Sequence, residues 1–222
     1  MRLRSTRVVG LVVAFALLGA ACGGKKTTTA GTEGPAAKPS ADTAAAGLRS
    51  DLNRLLQEHV YLAASATGAA LRGDTPGFNA AAAALDGNSD DIINTFGSVY
   101  PEAKGTFNDA WKGHIGFVVS YTSGLAAKDT AKSDKAVQDL QGYADSFGQF
   151  LADTVEPLPD GATVSDLLLH HILTLKDVID AQAEGDPAAA FTALRIAADH
   201  MHMLGDPLAA AIVAQHPESF TD

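Results

Sequence analysis

Three times along its 222 residues the chain repeats one arrangement: a bulky apolar residue, two spacers, a histidine and a β-branched residue. The copies are Leu56-Gln57-Glu58-His59-Val60, Trp111-Lys112-Gly113-His114-Ile115 and Leu168-Leu169-His170-His171-Ile172. Fifteen residues beyond His59, His114 and His171 stand Asp74, Asp129 and Asp186, and each unit closes near a proline, Pro101, Pro157 or Pro217. The histidines are 55 and 57 residues apart. A repeat of that length, apolar at every third or fourth position, describes a pair of antiparallel helices that buries its stripe only against further copies. The expected fold is therefore all-α: a six-helix bundle of three repeated hairpins, over about residues 48–100, 101–157 and 158–217.

The stripes run through the histidines. Leu48, Leu52, Leu55, Leu56, His59, Leu62, Ala63, Ala66 and Ala70 share one face; Phe107, Ala110, Trp111, His114, Phe117, Val118, Tyr121 and Leu125 share a second. Val164, Leu168, His171, Ile172, Leu175, Val178 and Ile179 share a third. Thr75-Pro76 and Asp186-Pro187 read as a capping residue followed by proline in the first helical turn. Asp206-Pro207 is expected to kink or restart the last helix, because proline lacks the N–H that an interior position donates.

The first 21 residues read as a signal peptide. Arg2, Arg4 and Arg7 precede the apolar run Val8–Leu18, which is too short to cross a bilayer as a helix. Gly19-Ala20-Ala21 and then Cys22 follow, and this leader resembles the lipobox of bacterial lipoproteins, with Gly19 where that pattern favours Leu. The resemblance implies that Cys22 carries the lipid, palmitate among its acyl chains, and that the protein sits on the extracytoplasmic face of the cell membrane. Residues 22–47, rich in Thr, Ala, Gly and Pro, read as a tether, leaving 48–222 as the helical domain. The leader holds three of the 16 basic residues and none of the 26 acids, so its removal would take the net charge from −10 to −13. Nucleic acid is excluded as a partner, since phosphate neutralisation needs a cationic surface. Cations would be mildly concentrated near such a surface instead.

The chemistry rests on histidine. Passing a point opposite each stripe histidine about 30 residues on, the return helix offers Asn88, Asp90 and Asp91 to His59, and Tyr143 and Asp145 to His114. These polar groups would satisfy a buried imidazole, which is the structural reading of His59 and His114. To His171 the return helix offers His200, Met201 and Met203. Imidazole with thioether suits copper or zinc, so these four residues form the expected metal site, with His170 and His202 pointing elsewhere around their helices. A competing geometry has His59, His114 and His171 converge on the bundle axis as a three-imidazole site.

No Gly-rich phosphate loop, His-Glu-x-x-His or Gly-x-Ser-x-Gly motif occurs, and no catalytic residue is expected. The helical part is similar to a set of secreted bacterial helical proteins of unassigned function, some labelled copper-amine-oxidase related. The likeness rests on Glu58-His59, Trp111-x-x-His114-Ile115-Gly116-Phe117 and His200-Met201-x-Met203. It implies a secreted six-helix module and not the oxidase activity, whose Asn-Tyr-Asp/Glu cofactor motif is missing. The expected function is non-catalytic binding at the membrane surface, with a metal ion or an envelope protein as partner. The alternative is a structural or interaction scaffold whose core histidines are structural.

Overall fold

The computed structural model describes residues 40–221, and the leader, Cys22 and most of the tether lie outside that range. Six helices follow one another: α1 (Ala44–Leu71), α2 (Thr75–Val99), α3 (Lys104–Ala127), α4 (Thr130–Thr154), α5 (Gly161–Glu184) and α6 (Pro187–Gln215). Short 3-10 turns at Ser40–Asp42 and Pro217–Phe220 flank them, and no strand occurs among the described residues. No described helix is long and apolar enough to cross a membrane. The fold is all-α, as the stripe periodicity predicts.

The repeated aspartates close the three hairpins in the same way. Asp74, Asp129 and Asp186 each cap the second helix of their hairpin, accepting a hydrogen bond from the backbone N–H of Gly77, Lys132 and Ala189 at 3.0, 3.1 and 3.0 Å. Their own N–H groups donate back to the first helix, to the carbonyls of Ala69, Gly124 and Ala181. The residue before each aspartate sits in the left-handed region: Gly73 at φ +71°, Lys128 at +56° and Gly185 at +73°. This is the paired-bond ending of a helix that calls for glycine, so Lys128 is the strained member of the set. Elsewhere the sequence misleads. Thr43 caps α1 from within the stretch that reads as tether, accepting from the Ala46 N–H at 3.2 Å. Pro207 does not restart α6, which runs through it to Gln215. The carbonyl that Pro207 leaves unpaired belongs to Met203, which is 58% exposed, so water can serve it.

Neighbouring helices pack in the order α1-α2-α3-α4-α5-α6 and back to α1, while α1, α3 and α5 also touch one another across the middle. The first helix of every hairpin is therefore an inner helix. Of the contacts around the ring, α2 against α3 is much the weakest. Sequence register sets the same pair apart. At the α4–α5 contact Gly148 lies so close to Ser165 that a Cβ would fall 2.7 Å from the Ser165 backbone nitrogen. The same position one unit on is Gly205, where a Cβ would meet the side-chain amide of Asn53, the counterpart of Ser165, at the contact of α6 with α1. In the first hairpin that position is Ile93, whose counterpart partner is Asn108. A buried isoleucine thus stands where the other two contacts have glycine, a bulkier residue at the pair that packs most loosely.

Candidate functional site

His59 on α1, His114 on α3 and His171 on α5 occupy equivalent positions on the three inner helices, and all three point inward. Their exposures are 2%, 4% and 7%. The His59 ring lies 5.5 Å from that of His114 and 6.1 Å from that of His171, centroid to centroid. Trp111, one turn before His114 and the only tryptophan in the chain, packs against both His59 at 5.0 Å and His114 at 4.9 Å. Tyr143 stacks on the far face of His114 at 4.8 Å. The sequence marks Trp111 and Tyr143 as core and as a hydrogen-bond partner respectively. Here they are the aromatic walls of a histidine cluster.

The polar partners expected for these rings do something else. Asn88 turns its amide N–H groups to the Leu55 carbonyl at 3.0 Å and to Glu58 at 3.3 Å. Asp90 pairs with Lys112 at 3.0 Å, and Asp91 and Asp145 are exposed. Tyr143 offers His114 its ring face at a 19° interplanar angle rather than its hydroxyl. As a result the Nδ1 atoms of His59, His114 and His171 are all buried without a hydrogen-bond partner, as is the Trp111 indole N–H. The structural reading of His59 and His114 as satisfied core histidines does not describe this arrangement. Three unpaired ring nitrogens in one place are costly, and native interiors rarely tolerate them without a purpose.

Burial sets the charge state. Desolvation first, and neighbouring histidines second, pull the pKa of each of the three rings from about 6.5 down to about 3. The histidine part of that shift comes from His114 on His59, from His171 on His114, and from His59 and His200 on His171. The Trp111 carbonyl opposes this weakly at His114. All three rings are neutral at physiological pH, so each offers a lone pair. The charges that act on them come from other histidines; no carboxylate contributes.

The third hairpin does not assemble its four expected ligands. His200 is buried, its Nε2 atom 3.0 Å from the Leu167 carbonyl, and its ring lies 4.2 Å from that of exposed His170. Met201 is buried, but Met203 faces solvent, so the two thioethers lie on different sides of α6. His202 is exposed and meets the Gln57 amide at 2.8 Å. Among the described residues no three His, Cys, Asp or Glu side chains already stand at coordination distance from a common point.

A cavity of about 20 Å³ beside Tyr121 reaches His114 and His171, and two larger ones border the cluster as well. One of about 70 Å³ reaches His114 and His171 from the side of Trp111 and Met201. The other, of about 220 Å³, lies under the loose α2–α3 contact and reaches His59 and His114. Nothing in the sequence pattern marks the second, because it arises from the spacing of two helices rather than from any one of them. Compared with family models, curated proteins and solved structures, the chain matches none of them. Its chemistry is therefore read from these residues alone.

Proposed function

We propose that the protein is a non-catalytic metal-binding lipoprotein of the extracytoplasmic membrane face, and that His59, His114 and His171 hold the ion. The observation that carries this reading is the meeting of three neutral, buried imidazoles, one from each hairpin, with three unpaired Nδ1 atoms. Three imidazoles suit zinc or copper, leaving a fourth position open. Ligand nitrogens around a tetrahedral zinc lie about 3.4 Å apart, from Zn–N bonds near 2.05 Å. Centroid spacings of 5.5 and 6.1 Å leave the rings slightly too open for that, so binding requires them to turn inward. The flanking cavities give them room to move. Four expected ligands in the third hairpin, split between the interior and the surface, support that site less well than one ring from each inner helix.

A scaffold role is the second reading, favoured by the packing of the rings on one another, on Trp111 and on Tyr143 without a gathered donor set. Calorimetric titration of chelator-treated protein with Cu(II) and Zn(II) at pH 7.5 separates the two. The metal reading expects binding that is weakened about equally by His59→Ala, His114→Ala and His171→Ala, with His200→Ala much milder. A dissociation constant no tighter than about 10⁻⁴ M, about −5.5 kcal/mol, or tight binding indifferent to these three changes, would leave the scaffold.

A further inference from the structure

We infer that the cavity of about 220 Å³ between α1, α2 and α3 binds a small, neutral, mainly aromatic molecule carrying one hydroxyl group, which it holds by hydrogen bonding to the imidazoles of His59 and His114. This site requires no metal and does not rest on the metal reading.

Three observations fix the chemistry. The first is the lining. Ala63, Ala66 and Ala70 replace the leucines found earlier on the α1 stripe, and Phe78, Leu85 and Val118 close the other sides. Small residues on one helix facing large apolar ones on two others leave a hollow that the protein does not fill itself. Engineered apolar cavities of about 150 Å³ stay dry and take up benzene, so this hollow accepts a substituted single ring. The hollow lies where α2 and α3, the most loosely packed neighbours around the ring, face α1.

The second observation is charge. No Asp, Glu, Lys or Arg lines the cavity. An ionised ligand would lose its hydration with no opposite charge to meet. The ligand is therefore neutral.

The third is the polar part of the wall. Thr67, Thr122 and Ser123 line the cavity, but their hydroxyl protons already go to the carbonyls or amide oxygens of Ala64 and Gln182, of Val118, and of Ser120. His59 and His114 differ: each is more than nine-tenths buried, borders the cavity and has an Nδ1 without a partner, enclosed until the ring turns towards the hollow. Each neutral ring can accept at one nitrogen and donate at the other. A hydroxyl, donor and acceptor at once, can serve either tautomer, whereas an ether or a ketone could only accept.

The test uses 4-ethylphenol and ethylbenzene as probes, which share a shape and differ by the hydroxyl. Full-length protein is treated with chelator and titrated calorimetrically with each at pH 7.5, while NMR follows the ring protons of His59 and His114. The expected result is saturable 1:1 binding of 4-ethylphenol, about tenfold tighter than ethylbenzene, the effect of one added hydrogen bond, with both histidine spectra shifting. Ala66→Leu and Ala70→Phe fill the cavity from α1 and should abolish binding while keeping the helical circular dichroism and the melting temperature of the parent. His114→Leu should bring 4-ethylphenol down to the affinity of ethylbenzene. No saturation by either probe up to about 1 mM (near −4.1 kcal/mol), equal affinity for the two, or binding that persists in both folded cavity-filling variants would overturn the inference. Because the probes are tested without metal and the metals without probes, failure of one reading leaves the other standing or falling on its own titration.

Discussion

Lowering the pH from 7.5 to 5.5 should destabilise this protein strongly, and the size of the loss follows from three residues. In the folded state His59, His114 and His171 titrate near pH 3; in the unfolded chain they return to about 6.5. Between those values the unfolded chain binds protons that the folded one refuses. Stability is therefore full above pH 6.5 and falls as the pH drops towards 3. At pH 5.5 the folded values lie far enough below that their exact size no longer matters. The loss depends only on how fully the unfolded histidines are charged, about 1.3 kcal/mol each between pH 7.5 and 5.5 and about 4 kcal/mol for the three. For a domain of this size that corresponds to roughly 10 °C in melting temperature. His200, lowered by burial, adds a further loss of the same sign. Asp206, held at about 2 by its bonds to Arg49 and Asn53, titrates below this window and does not contribute. Thermal melts by circular dichroism in the presence of chelator, at pH 7.5, 6.5 and 5.5, measure the effect. His59→Leu should remove about a third of the contribution of the three rings, because leucine has no proton to refuse. A melting temperature that changes by less than about 2 °C over this range would mean that the three rings are paired or solvated in the folded protein, and the account of the site would fail with it.

Two further outcomes are expected elsewhere in the chain. Lys128→Gly should stabilise the protein by about 0.5–1 kcal/mol, since Lys128 alone occupies the left-handed turn position that Gly73 and Gly185 fill in the other hairpins; urea denaturation of the two proteins side by side checks it, and a destabilised variant would contradict the turn assignment. Cys22→Ala should release the protein from the membrane into the medium, and an intact mass showing wild-type Cys22 without acyl chains would refute the lipid anchor.

The turns were the most legible part of the sequence, because a capping aspartate acts on backbone groups only three residues away. Asp74, Asp129 and Asp186 therefore located the hairpins without any knowledge of packing. The same locality misled at Thr43, which caps α1 from a low-complexity stretch, while Pro207 restarts no helix, since α6 runs through it to Gln215. Met203 shows the limit of helical periodicity. Three residues from buried His200 it stands about 60° around the helix, enough to move from the interior to the surface when the buried face is narrow.

Convergence of the three histidines is a matter of level as well as face. Each lies 15 residues before its turn aspartate, about 22 Å along the helix, so equal spacing sets all three at the same height in their hairpins. Equal height yields a site only if the helices that carry them are the inner ones. That depends on how hairpins pack against each other: on Gly148 against Ser165 and Gly205 against Asn53, where a glycine of an outer helix meets a residue six before His171 or His59. The pair with Ile93 in place of that glycine, α2 against α3, is the loosest around the ring, and the larger opening beside the histidine cluster lies farther along the same two helices, between Phe78 and Leu85 of α2 and His114 to Ala126 of α3. A single hairpin of this kind could bring only one imidazole to its inner face. The cluster exists because three copies are joined in one chain, and its larger cavity lies where two of those copies pack most loosely.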